Sequence, residues 1–320
     1  MAETIKLPRA EHRLCARVAR LYYESELTQE QIGEFLGLSR MKVNRLLSLA
    51  MKSGIVQVQI IGPDEPHAEL ENQLLSLFRL KDVRVVSGPL PGQSLGLALA
   101  AAASDWLSER LEPDLVIGIG LGRTVALMPQ TFSVPQPFNC HFVTLEGVGA
   151  SPNAGFAAYD VTSRLADAAG GWAEVISAPT FVSTTEMRDA LIAEPSVASS
   201  LQTARSASLM LQSVGTLSVD APLFRHGTLS KKDLAALKKA GAVGDALGHF
   251  FDEDGQHVPW VTDGIHVGLT LSDLVDCPTS AVVAGGEEKL LAIRGGIRGG
   301  FIHALITDAA TAERLIEVGP

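Results

Sequence analysis

The sequence predicts an α/β protein in two parts: an N-terminal winged helix-turn-helix unit over residues 1–61 and a larger, doubly wound, mostly parallel sheet over residues 62–320. Three observations carry this. The stretch Thr28 to Ile60, TQEQIGEFLGLSRMKVNRLLSLAMKSGIVQVQI, reads as helix, turn, helix and brief strand. From Val83 onward, strand-like and helix-like patterns alternate, as in parallel sheets covered on both faces. Between the two lies the breaker cluster Gly62-Pro63-Asp64-Glu65-Pro66. A chain of 320 residues is also too long for one small domain.

The first helix spans Arg9 to Glu24, with Leu14, Val18, Leu21 and Tyr22 facing inward. Thr28 caps the second helix, and Gln31 three residues later completes a capping box. Ile32, Phe35 and Leu36 form its apolar face, and Gly37-Leu38-Ser39 ends it, with Ser39 capping the third helix. From Arg40 the stripe Val43, Leu46, Leu47 and Ala50 turns inward. The opposite face presents Arg40, Lys42, Asn44, Arg45 and Ser48, cationic and amide groups that suit base edges and phosphates. We read this as a DNA-binding helix-turn-helix in which Ser39, Arg40, Lys42, Asn44 and Arg45 face the operator and Gln29 lies near the backbone. The alternative is a pair of amphipathic helices joined at a glycine, with a solvated charged face and no nucleic acid. The alternating run Ile55–Ile60 supplies a wing.

The net charge of −10 divides unevenly. Residues 1–60 hold nine Lys or Arg against six acids, giving +3; the remainder carries −13. A basic head on an acidic body keeps attraction for phosphate local. One small head binds weakly, so tight operator binding calls for a homo-oligomer. No run approaches the roughly 20 apolar residues of a membrane span, and the N-terminus lacks the order of a secretion signal. Cys15, Cys140 and Cys277 are far apart and mark neither a disulfide framework nor a metal site. A cytoplasmic protein without a membrane partner is expected.

In the body, His67 to Leu80 reads as an amphipathic helix with Leu70, Leu74, Leu77 and Phe78 on one side, packed on its own domain or paired with another subunit. Strands are expected at Val83–Ser87, Leu115–Ile119, His141–Leu145, Glu174–Ser177, Ala207–Val214, Ala281–Val283 and His303–Ile306. Helices are expected at Leu95–Glu109, Val161–Ala169, Lys231–Ala240 and Ala309–Glu317. Ligands of such sheets bind beyond the carboxyl ends of the strands.

There the sequence places Gly118-Ile119-Gly120-Leu121-Gly122-Arg123-Thr124, a strand running into glycines and then into a helix. Alternating glycines admit an anion to the backbone, and Arg123 and Thr124 add donors. Neither a dinucleotide loop, which needs glycine where Arg123 stands, nor a Walker loop is present, and no cofactor is expected. The alternative is a tight turn without ligand. Gly285-Gly286-Glu287-Glu288-Lys289 follows another strand and brings Lys289 into the first turn of the next helix, to neutralise a phosphate or bond a hydroxyl. Asp245, in VGDALGHFFD near the sheet edge, suits two sugar hydroxyls; Asp308 suits a helix cap. No GxSxG, HExxH or paired metal-ligand spacing occurs. Glu146, Asp160 and Asp245 offer carboxylates, but their spacing singles out no acid–base pair.

These stretches resemble the SorC family of bacterial sugar-responsive transcriptional regulators. The likeness runs through LTQEQIGEFLGLSRMKVNRLLSLAMKSGIV, VIGIGLGRTV, VGDALGHFFDEDG and VVAGGEEKLLAIRGGIRGGFIHALITDAATAERL, in the family's order over residues 12–317. It implies an effector domain similar to phosphosugar isomerases and deaminases, a tetramer, and operator affinity that changes when a phosphorylated sugar binds. Gly120 belongs to the glycine loop, and Gly122, Arg123 and Thr124 match the positions that hold the effector phosphate. Asp245 and Lys289 match effector contacts. Glu146 intrudes where the family is often glycine-rich, and Asp160 stands where asparagine is common, which points to different hydroxyl contacts or a different effector. The leading expectation is a regulator of a carbohydrate-catabolism operon, not an enzyme; the rival is a sugar-phosphate isomerase or deaminase with a regulatory head.

Overall fold

In a computed structural model, the chain is described over residues 7–56, 66–89, 93–120, 122–148, 158–225 and 227–320. It forms two compact units, Met1–Asp64 and Glu65–Pro320. The breaker cluster up to Glu65, the wing residues 57–60 and Leu121 lie outside the described residues.

The first unit packs α1 (Arg9–Tyr23), α2 (Gln29–Leu36) and α3 (Arg40–Lys52) around Cys15, Val18, Ile32, Val43, Leu46, Leu47 and Ala50. The inward stripe of α3 is the expected one. On α2, Phe35 is 66% exposed, contrary to its expected place in the core. Ile32 and Leu36 fill the space facing α1 and α3, and Phe35 falls just outside that arc. Ile55 and Val56 lie against the same core, and Val56 N–H donates to Ala50 O at 3.0 Å.

The second unit runs α4 (Ala68–Phe78), β1 (Asp82–Val86), α5 (Leu95–Ser108), β2 (Val116–Ile119), β3 (His141–Thr144), α6 (Ala158–Ala168) and β4 (Trp172–Glu174). It continues through α7 (Thr185–Ala193), α8 (Pro195–Arg205), β5 (Leu209–Gln212), β6 (Gly215–Thr216), α9 (Pro222–Arg225) and α10 (Lys231–Lys239). The last part comprises β7 (Ala242–Ala246), β8 (His249–Asp252), α11 (Leu271–Asp276), β9 (Thr279–Val283), α12 (Leu290–Arg298), β10 (Ala304–Asp308) and α13 (Ala309–Val318).

Seven strands make one parallel sheet in the order β1-β10-β9-β5-β2-β3-β4. Its central strands are apolar on both faces, as burial on both sides requires. Along β5, Leu209 and Leu211 enter one core with Trp106, Ile117 and Phe142, whereas Met210 enters the other with Leu74, Phe251 and Leu305. From β2 the chain steps outward through β3 and β4; from β5 it steps the opposite way through β9 and β10. The order therefore reverses between β2 and β5, where a crevice opens in a doubly wound sheet.

Several expectations change here. Leu77 is 38% exposed rather than buried, while Leu74 and Phe78 hold α4 against β1 and α13. The segment after the glycine loop is a 3-10 helix, Val125–Gln130, instead of an α-helix. Pro129 inside it lacks an N–H and its ring opposes α-helical continuation. Strand β4 lies two residues before its expected start. Asp245 is on β7, in a separate antiparallel sheet ordered β6-β7-β8, and not at the edge of the main sheet. Helices α7 and α8 have no counterpart among the expected elements; α7 has no fully buried residue and meets the core only through the partly buried Leu191 and Ile192.

Candidate functional sites: a helix-turn-helix face and the β2–β5 crossover

In the head, the second helix is fixed at both approaches. Thr28 and Gln31 form the reciprocal capping box at 2.9 and 3.3 Å. Gly37 adopts φ +66° as the C-cap, and Leu38 N–H donates to Gly33 O at 2.8 Å. A Cβ on Gly33 would stand 2.6 Å from Leu38 O, so the turn needs glycine at that point as well. Ser39 Oγ accepts from Lys42 N–H at 3.2 Å and starts α3. Arg40, Lys42, Asn44 and Arg45 are all exposed on α3, Ser39 is exposed at its cap, and Gln29 is half-buried. The capping bond leaves Ser39 a positioning role alongside any contact of its hydroxyl.

In the body, the reversal of strand order sets the carboxyl ends of β2 and β5 side by side. The glycines after β2 are spaced for this approach: a Cβ on Gly120 would meet Gln212 Cβ at 2.8 Å, and one on Gly122 would meet Ser213 Cβ at 2.7 Å. Close packing alone thus explains both glycines, and ligand chemistry must come from the side chains around them. Arg123 is exposed and Thr124 buried at the mouth of the loop. Lys289 arrives from the other half of the sheet: Gly286, at φ +97°, turns the chain after β9, and Glu287–Lys289 forms a 3-10 turn leading into α12. Lys289 Nζ donates to Ser213 Oγ at 3.0 Å, tying the turn after β9 to the end of β5. Asp308 caps α13 through Thr311 N–H at 3.1 Å and accepts from Gly286 N–H at 3.2 Å. It is a structural tie, as its sequence position suggests.

Electrostatics couples the group. Burial pushes the Lys289 ammonium down to about 8; the nearby Arg123 guanidinium adds to this, while Glu288 and Asp245 oppose it. Burial pushes the Asp245 carboxyl up to about 6, against the opposing Gly248 amide, Lys289 and His249. Asp245 reaches this place because β7 pairs with β6, setting Asp245 opposite Gly215, three residues beyond β5. A Cβ at Gly215 would collide with the Asp245 carboxylate.

The crossover therefore gathers Gly120, Gly122, Arg123, Asp245 and Lys289. Glu146 is held just beyond β3, in an antiparallel bridge to Gly268. Asp160 is exposed in the first turn of α6, 4.0 Å from Arg164; among the described residues no hydrogen bond or ion pair ties it to the crossover cluster. Two crossover residues escape the sequence reading. Ser213 holds Lys289, and Gln212, fully buried at the end of β5, has neither amide atom satisfied among the described residues. The one signal is an amide closing the apolar run Leu209-Met210-Leu211.

A small DNA-reading helical unit joined to an α/β body with a charged crossover site defines a two-part transcriptional regulator. The comparisons agree. The family model "Putative sugar-binding domain" matches residues 64–317, and "Sigma-70, region 4" matches residues 16–53. The chain is 35% identical to "Transcriptional regulator LsrR" of Enterobacter sp., over 96% of this chain and 93% of that protein. It is 32% identical to "Erythritol catabolism regulatory protein EryD" of Brucella abortus, over 96% and 97%. In fold it matches the full-length sorbitol operon regulator SorC of Klebsiella pneumoniae, with a TM-score of 0.72, 24% identity and coverage of 96% and 99%. The chain belongs to the SorC family of sugar-binding transcriptional regulators.

Proposed function

We propose that the chain controls a carbohydrate-catabolism operon, with operator affinity set by a sugar, polyol or sugar phosphate bound at the β2–β5 crossover. The observation that carries this reading is the convergence of Arg123, Lys289 and Asp245 on one crevice, in a chain whose relatives are named as regulators. Two cations suit a phosphate, with Gly120, Gly122 and Thr124 lining its approach; Asp245 suits hydroxyls. The unsatisfied amide of Gln212 fits a further hydroxyl or carbonyl, since buried polar groups ordinarily have partners. Glu146 and Asp160 remain candidates for the far end of a longer effector. In the head, Arg40, Lys42, Asn44 and Arg45 contact the operator, with Ser39 and Gln29 at the edge of that surface. The domains are residues 1–61 for DNA and 62–320 for effector and assembly. The protein works in the cytoplasm as a homotetramer, without catalysis or cofactor; no helix among the described residues is long and apolar enough to cross a membrane.

Thermal-shift screening against sugar phosphates, with Arg123→Ala as control, tests the effector site: wild type is stabilised and the variant much less. Equal stabilisation removes Arg123 from the site. A gel shift on the DNA upstream of the gene tests the head, and no retardation at low salt counts against it.

One observation favours an enzyme as the second reading. A carboxyl raised to about 6 beside an ammonium lowered to about 8 is the kind of pair used in proton transfer. Turnover of a sugar phosphate by the purified protein, lost in Asp245→Asn, would establish it.

A further inference from the structure

A second cluster of chemistry lies on the small sheet, on the far side of the tight turn from Asp245. His249 is the first residue of β8 and is buried. Beyond β8 the chain folds back on it: Asp252 N–H donates to Gln256 O at 3.0 Å, Val258 N–H donates to Phe250 O at 2.8 Å, and Phe251 bridges His257. This pairing places His257 and His249 as diagonal neighbours across two antiparallel strands. A tight turn then presents Asp263. Its backbone N–H donates to Trp260 O at 3.0 Å, and its Oδ2 accepts from Trp260 N–H at 2.7 Å. With Oδ2 so held, Oδ1 faces both imidazoles, 2.8 Å from His249 Nδ1 and 3.2 Å from His257 Nε2.

We propose that His249, His257 and Asp263 bind a divalent transition-metal ion of the zinc class. The three donor atoms all lie within 4.8 Å of one another. Donors each about 2.0–2.2 Å from a tetrahedral centre stand about 3.3 Å apart, so the observed spacing needs only small side-chain adjustments. Two imidazoles and one carboxylate match zinc and its neighbours and not calcium or magnesium, which take oxygen ligands. The carboxylate already has an outer partner in the Trp260 amide, the arrangement that orients metal ligands. Burial of His249 shields one side. His257, with its side chain 43% exposed, opens the other, leaving room for a water in the fourth position. The rival is a purely hydrogen-bonded clamp, both imidazoles donating to Oδ1; it binds no metal.

The test uses the full chain stripped with a chelator, titrated with Co2+ while its visible absorption is followed, and then with Zn2+. The expected result is saturable uptake of one ion per chain, displaced by zinc. Zinc affinity should fall about tenfold or more in His257→Asn, a variant chosen because the half-exposed ring can be lost without opening the core. His266→Asn, whose ring packs edge-on against His249 with centroids 4.6 Å apart but supplies no donor, should keep the affinity. Circular dichroism confirms that each variant is folded. No saturable uptake by wild type overturns the proposal, as does equal affinity in wild type and His257→Asn. A loss in His266→Asn as large as that in His257→Asn overturns the donor assignment.

Discussion

Lys289 and Asp245 carry charges that the body has partly removed from water, and each gives a test with a definite sign. With its ammonium at about 8, Lys289 is charged below that pH and loses its proton above it. If it grips an effector phosphate, affinity should hold up to about pH 8 and then fall by up to about tenfold per unit, because binding must then restore a proton. Calorimetry at pH 7.5 and 9.5 checks this, and Lys289→Ala should lack the drop. The same variant should bind about 10–150-fold more weakly at pH 7.5, the worth of a hydrogen bond to a charged group. Asp245 works in the opposite sense for stability. Its folded value of about 6 exceeds the ordinary carboxylate value, so the folded state holds the proton more tightly and loses relative stability as pH rises from about 4 to about 6. Asp245→Asn should therefore melt higher than wild type at pH 7.5, with the difference fading by pH 4, while effector binding weakens. A variant that melts lower at both pH values contradicts this. Arg123, Asp245 and Lys289 are legible in the sequence because charged groups beside glycines at strand ends are rare and chemically pointed. Gln212 is not, because a single amide ending an apolar strand looks the same whether it is solvated, paired or left for a ligand.

Elements are legible in proportion to the local chemistry that fixes them. Helices α2 and α3 declare themselves through Thr28, Gln31, Gly37 and Ser39, and the structure uses each as a cap. The central strands declare themselves by length and hydrophobicity. The small sheet does not: β6 has two residues, and β7 is interrupted by a register shift between Ala242 and Gly244. Its existence depends on distant pairing that no local pattern records, which is why sequence alone assigns Asp245 to an edge of the main sheet. The head offers the cleaner element-scale test. Ser39→Ala removes the cap of α3 and should cost about 1 kcal/mol of stability in the head. Gly33→Ala is more severe, because the added methyl meets the Leu38 carbonyl that the turn cannot move without disturbing the Leu38–Gly33 hydrogen bond. It should abolish operator retardation in a gel shift yet leave the thermal shift produced by effector intact. Loss of both responses would show that the damage extends beyond the head.

At the scale of the whole molecule, the two units make sense only through coupling. A head of charge +3 draws weakly on DNA, and a body of charge −13 adds no attraction. In the proposed homotetramer, selective occupancy rests on several heads acting together. For an effector at the β2–β5 crossover to regulate that occupancy, it must bind the DNA-competent and DNA-incompetent states with different affinity. Thermodynamic linkage then requires reciprocity: whatever factor the effector imposes on operator affinity, the operator imposes on effector affinity. For a coupling of about 1–3 kcal/mol, the shared factor is about 5–150-fold. The prediction is that effector titrations with and without saturating operator duplex give dissociation constants whose ratio equals the ratio of operator affinities with and without effector. In Lys289→Ala, which spares the head, operator affinity without effector should stay at the wild-type value while the effector's influence on it is lost. An effector that binds the body tightly but leaves the operator affinity unchanged would be a ligand without a regulatory role, and the crossover would then have to be read as the binding site of an enzyme.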